Sequence, residues 1–149
     1  VNDRLTDDLI YQSVKKGTEL NEAIDQTLKG KEMRMPDGLF FTDKDGTKRT
    51  EIRIKWWEDP TTTSYKSISV EPIDNLPEKA VEISEFKSLD FYREKDKIVF
   101  FGHYWLKGEP FLYKDNICCL DYSIAKGGKL VAYRLNGETI LDCKNLTYV

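Results

Sequence analysis

Histidine is almost absent from this chain: His103 is the only one in 149 residues. That excludes a multi-imidazole metal centre built by this chain alone, because two-metal hydrolytic sites hold their ions about 3.5–4 Å apart with several His and carboxylate ligands. Cysteine is scarce too. Cys118 and Cys119 are adjacent, Cys143 stands apart, and no C-x-x-C spacing supports a zinc site or a disulfide framework. The three read as reduced thiols packed inside a cytoplasmic protein. No apolar run approaches the roughly 18 residues of a membrane span, so no membrane association is expected, and no signal peptide is visible. A basic excess is missing as well. The net charge of −3 argues against nucleic-acid binding.

What is present is an ordinary globular balance, 40% hydrophobic and 33% charged residues, enough for one domain with a workable core. The chain reads as a single α+β domain over 1–149. It divides into a helical part (1–35), a hairpin and connector (36–97) and a mostly antiparallel carboxyl-terminal sheet (98–149). Thr6 is suited to cap a first short helix, with Asp7 and Asp8 favourable in its first turn, and Thr18 starts a second. Leu5, Leu9, Ile10 and Val14 make an apolar stripe on the first, and Leu20, Ala23, Ile24, Thr27 and Leu28 one on the second. Gly17 and Gly30 are natural stops. Runs 39–42 and 50–57 flank Asp43-Lys44-Asp45-Gly46 and predict a hairpin. A calcium loop fails there, because Gly46 as the loop glycine puts Phe41 first and Ile52 twelfth. Segment 67–70 reads as a short strand and 72–97 as an irregular connector. Runs 98–101, 117–121, 129–135 and 139–142 read as strands, with turns at Gly127-Gly128 and Asn136-Gly137.

Two places carry candidate chemistry. On the strand through 52–57, Ile52, Ile54 and Trp56 share one face, and Arg53, Lys55 and Trp57 share the other. Two cations beside an indole suit a phosphate-bearing substrate; the same pattern also describes a solvated face with long stems laid along it. The second place is Gly102-His103, directly after the apolar run 98–101. A Gly then a His at the carboxyl end of such a strand can present an imidazole at a sheet edge. A hydrogen-bonded His among aromatic neighbours has the same spacing.

The blocks Gly102-His103-Tyr104-Trp105 and Cys119-Leu120-Asp121-Tyr122-Ser123-Ile124-Ala125-Lys126-Gly127-Gly128-Lys129-Leu130-Val131-Ala132-Tyr133-Arg134 resemble the carboxyl-terminal end of bacterial calcineurin-like metallophosphoesterases, in the serine/threonine protein phosphatase-like or diadenosine tetraphosphatase-like branches. Leu28-Lys29-Gly30, Asp43-Lys44-Asp45-Gly46 and the run 52–57 extend the likeness upstream. The resemblance implies half of a two-layer sandwich, with His103 as a metal ligand, Asp121 as the acceptor that orients it, and Arg53 and Lys55 toward a phosphorylated substrate. It implies two divalent ions in the parent enzyme, among Mn, Fe, Zn and Mg, which hydrolyse phosphate esters or anhydrides. The family's Asp-x-His, Gly-Asp-x-x-Asp-Arg and Gly-Asn-His-Asp/Glu motifs do not occur here, and Trp105 stands where a Gly-His-x-His variant has its second His. The chain is therefore expected to be the carboxyl-terminal portion of a longer phosphoesterase, whether expressed fragment, proteolytic product or degenerate gene. On that expectation it has no complete catalytic set, no metal of its own, no turnover in isolation, and self-associates through core surface left exposed. A non-catalytic β-rich binding or structural domain is the competing expectation.

Overall fold

The computed structural model describes residues 4–43, 46–86 and 89–149. The fold is α+β, with short helices and several small sheets that are mostly antiparallel. Contacts gather into two compact units, Val1–Phe91 and Tyr92–Val149, where the sequence reads as one domain. No helix among the described residues is long and apolar enough to cross a membrane.

The first unit opens with α1 (Asp7–Ser13) and α2 (Glu19–Lys29). The expected caps are in place. Thr6 accepts from the Leu9 amide and Thr18 from the Asn21 amide, which satisfies donors that a helix start otherwise leaves open. The expected apolar stripes are not buried. Neither helix contains a buried residue, and Leu5, Ile10, Val14 and Leu28 are exposed. After α2 the chain forms β1 (Glu32–Arg34), a short 3-10 turn at Pro36–Gly38, β2 (Phe41–Thr42), β3 (Lys48–Arg49) and β4 (Glu51–Arg53).

The expected hairpin is split. β2 pairs with β3 around the Asp43 turn, but β4 pairs antiparallel with β1, in the register Glu32↔Arg53, Met33↔Ile52 and Arg34↔Glu51. That pairing buries Met33, Met35, Ile52 and Ile54 with Tyr65, Ile68, Ile73, Leu76 and Val81 in one core. Within the predicted turn, Lys44 and Asp45 lie outside the described residues. Segment 67–70 is not a strand: Tyr65–Ile68 form the one-turn helix α3. Ser64 and Ser67 cap each other reciprocally there, a local alternative to a sheet ladder. Strand alternation also stops early. The chain turns at Trp56, so Trp57, not Trp56, is buried.

The second unit holds β5 (Val99–Phe101), β6 (Leu112–Lys114), β7 (Ile117–Cys119), β8 (Asp121–Tyr122), β9 (Lys129–Tyr133) and β10 (Leu146–Tyr148). One sheet has the order β5-β7-β6, with β5 parallel to β7; another has the order β10-β9-β8, all antiparallel. The run 117–121 therefore crosses from one sheet to the other at Leu120. The expected strand 139–142 is a loop, and β10 takes its place beside β9. The Glu138 carboxylate gathers the Tyr133 hydroxyl at 2.8 Å, the Asn136 amide at 2.6 Å and the Asn145 side chain at 3.1 Å, which stabilises a loop instead of a hairpin after Asn136-Gly137. Hydrogen bonds from its own backbone amide and then from Tyr133 hold that carboxyl below the ordinary glutamate range.

Cys118 and Cys119 are fully buried on the central strand β7, while Cys143 is exposed. Burial pushes the Cys118 thiol up to about 11 and the Cys119 thiol up to about 12. Thiolate is the reactive form. A thiol-exchange titration at pH 8 is therefore expected to give one fast equivalent, from Cys143, and two further equivalents only on unfolding. Three fast equivalents in the native protein would contradict the packing of β7.

Candidate functional site: the His103 loop

β5 is an apolar run that is half-buried along its whole length, and it delivers the chain into Gly102-His103-Tyr104-Trp105. Gly102 is not required by steric crowding. A Cβ added there meets the Asp121 Cβ at 3.5 Å, an ordinary contact. The close approach expected of this glycine is thus not what distinguishes the loop; its backbone conformation is. His103 has φ 71° and Trp105 φ 50°. Few non-glycine residues adopt this left-handed region, and a bulky aromatic there is an outlier. Such conformations persist only where the surroundings impose them.

Those surroundings are visible. Between the two strained residues, Tyr104 turns inward, buried, and meets the Phe101 ring edge-on at 4.9 Å between centroids. Asp121 then fixes the loop from the neighbouring strand β8. Its Oδ2 accepts from the Trp105 amide at 3.2 Å, its Oδ1 from the Ser123 amide at 3.2 Å, and its backbone carbonyl from the Leu106 amide at 3.1 Å. Ser123, itself at φ 61°, closes the arrangement by donating its hydroxyl to the Leu106 carbonyl at 3.1 Å. With Tyr104 held inside, His103 and Trp105 are held outside, both exposed. Lys126, at the end of the 3-10 turn Ile124–Lys126, lays its ammonium 4.0 Å from the centre of the Trp105 ring.

The sequence-predicted residues fall into two groups. His103 and Asp121 lie in one loop system of the second unit, but the link between them is backbone. Both oxygens of Asp121 are given to amides, and no hydrogen bond to the imidazole is made. Asp121 orients the loop that carries His103 and leaves the ring itself unheld. Arg53 and Lys55 lie in the first unit and have internal work. The Arg53 guanidinium pairs with Glu32, its cross-strand neighbour, at 3.2 Å. The Lys55 ammonium donates to the Ser67 carbonyl at 2.7 Å, in the last turn of α3, where a cation is favourable. Sequence reasoning missed Ser123 and Lys126. No spacing rule marks them, and only the parallel pairing of β5 with β7 brings their segment beside the loop.

Among the described residues no group of three or more His, Cys, Asp or Glu side chains could hold an ion. Among the described residues of the second unit, His103 offers one exposed imidazole. Comparison with protein-family models, with curated proteins and with solved structures found no match to this chain.

Proposed function

We propose that the chain is the carboxyl-terminal portion of a metal-dependent phosphoesterase acting on phosphate esters or anhydrides, and that His103 is its contribution to the metal-binding site. One observation carries this reading. A strained, multiply braced loop at the carboxyl end of a parallel strand pair turns its imidazole outward. Ligand sites of α/β sheets gather at the carboxyl ends of parallel strands, and strain of this kind concentrates at functional sites. A neutral imidazole is a suitable donor for a transition metal. One such donor makes no site, so the remaining ligands belong to sequence outside this chain, and the small sheets here are part of a larger layered sandwich. No reaction step is assigned to the residues present. Asp121 supports the reading as a positioning residue, through the amide of Trp105. A phosphate contact from Arg53 or Lys55 would have to be made in addition to their bonds to Glu32 and Ser67.

The test uses the longer protein and this chain side by side. This chain is expected to give no turnover of a generic phosphate ester with added manganese. In the longer protein, His103→Ala is expected to lower metal content and to cut turnover at least 10-fold, since losing even a group that only orients a ligand costs roughly 10–100-fold. The fold should be retained, because the side chain is exposed. Unchanged metal occupancy with unchanged turnover would return His103 to an ordinary surface histidine.

A further inference from the structure

We propose that Asn136 is a site of spontaneous covalent modification in the folded protein. Its side-chain amide is converted, through a cyclic imide formed with Gly137, into isoaspartate and aspartate, and the loop held by Glu138 opens as a result. This is independent of the phosphoesterase reading.

Three observations select this residue. Asn2, Asn21, Asn75, Asn116 and Asn145 are followed by Asp, Glu, Leu, Ile and Leu, and only Asn136 is followed by glycine. A side chain on the following residue crowds the main-chain nitrogen that must attack. At Gly137 no such side chain exists, and where a Cβ would stand nothing lies within 4 Å. The pair is also accessible. Asn136 and Gly137 are both exposed, and among the described residues no acceptor takes the Gly137 amide hydrogen. Finally, the electrophile is lightly held: the Asn136 side-chain amide donates to the Arg134 carbonyl at a long 3.3 Å.

Water is the sole co-reactant. The Gly137 nitrogen gives its proton to hydroxide and attacks Asn136 Cγ; the Cγ–Nδ2 bond breaks and ammonia leaves. Both reacting atoms belong to adjacent residues, so the step is unimolecular. Water then opens the imide. Attack at Cγ restores the ordinary backbone with an aspartate side chain. Attack at the main-chain carbonyl breaks its bond to the Gly137 nitrogen, and the chain thereafter runs through Cβ and Cγ as isoaspartate. An amide and water become a carboxylate and ammonium, and nothing is oxidised or reduced.

The surrounding bonds make the change consequential. Glu138 Oε2 accepts from the Asn136 amide at 2.6 Å, while Oε1 holds the Tyr133 hydroxyl and the Asn145 side chain. The Tyr133 hydroxyl in turn accepts from the Asp142 amide at 2.9 Å. Isoaspartate lengthens the main chain by one carbon between Asn136 and Gly137, inside this ring of bonds. Either product also sets a second carboxylate two residues from the first, where like charges repel.

The test incubates the intact folded chain at mildly alkaline pH beside an unfolded peptide of residues 132–141, with digestion in acid so that handling adds no product. Peptide mapping by mass spectrometry follows each asparagine, and an enzymatic isoaspartate assay separates the two products. Asn136 in the folded chain is expected to convert within about tenfold of the peptide's rate, since exposed loops open at little free-energy cost. The rate should rise with pH, while Asn21, Asn75, Asn116 and Asn145 stay intact. Asn136→Gln should remove the acidic species that anion exchange separates from the original, because the longer side chain closes its ring less readily. The converted fraction should be cut faster by protease within 134–142, with Cys118 and Cys119 still unreactive as the sign that β7 remains packed. The proposal is overturned if folded Asn136 stays intact or converts more slowly than that bound, if the acidic species persists in Asn136→Gln, or if the converted fraction is cut no faster than the original.

Discussion

Gly128→Ala is expected to destabilise the second unit by about 3 kcal/mol or more, in the upper range for forcing atoms into filled space. A Cβ at Gly128 would stand 1.9 Å from the Tyr122 carbonyl oxygen and 2.8 Å from two backbone atoms of Ser123. These are main-chain atoms, so no side-chain rotation relieves the overlap. The Ser123 carbonyl also accepts from the Gly128 amide at 3.0 Å and from the Lys126 amide at 2.8 Å, so the segment that must move is the one bracing Trp105 and Lys126. Gly102→Ala is the matched comparison. Its Cβ meets only Asp121 Cβ at ordinary distance, so stability should change by within about 0.5 kcal/mol. Denaturant titration of both variants checks the pair; equal losses would refute the crowding at Gly128. The Gly-Gly pair reads as a plain turn in the sequence. The structure shows that Gly127 supplies a left-handed backbone and Gly128 an absence of volume.

Asn116→Asp is expected to cost several kcal/mol at neutral pH. Asn116 is 1% exposed, and its side-chain amide donates to the carbonyls of Arg93 at 2.8 Å and Asp96 at 3.1 Å. A carboxylate there would set a buried charge against two acceptors, with no donor to answer it. The pH dependence follows from the same geometry. Burial beside two carbonyls favours the protonated acid, so the folded value of the new carboxyl would lie above its unfolded value. The penalty is then small below the unfolded value, grows as pH rises through the folded one, and levels off above it. Denaturation midpoints between pH 4 and 8 should fall with rising pH relative to the original protein. A penalty that shrank with rising pH would mean that the side chain escapes to solvent.

Local features were legible in the sequence, and pairing partners were not. Thr6 and Thr18 cap their helices because a hydroxyl two or three residues from an open amide needs nothing distant. The partner of β4 is not legible in the sequence, because Leu39-Phe40-Phe41 is the more apolar run and lies just across the turn, whereas Met33-Arg34-Met35 carries a charge at its centre. Met33 and Met35 are buried in one core with Tyr65, Ile68 and Leu76, residues far along the chain, while Leu39 and Phe41 pack against that core only partly buried. Asn136-Gly137 between apolar runs is a strong hairpin signal, yet Glu138 draws Tyr133, Asn136 and Asn145 into a loop that the signal cannot foresee. At the candidate site the apolar run ending in Gly-His marks the loop, but an outward imidazole and a packed, hydrogen-bonded one have the same spacing. The work of Asp121 was not legible either, because a carboxylate that serves backbone amides looks the same in sequence as one that serves a ring.

The parallel pairing of β5 with β7 also sets an order of events in folding. β6 and β7 are joined by Asp115 and Asn116 alone and can pair as soon as that turn forms. β5 can dock on the free edge of β7 only after the intervening chain, including the whole His103 loop, has been closed into a ring, and closing it costs entropy before any contact rewards it. The loop's bonds to Asp121 and Ser123 therefore form late. Changes in the Asp115-Asn116 turn should chiefly slow folding, whereas changes in the His103 loop should chiefly hasten unfolding. The segment with the candidate chemistry is thus expected to assemble after the β6–β7 pair and to open before it, so its lifetime can be altered without altering how fast that pair is made.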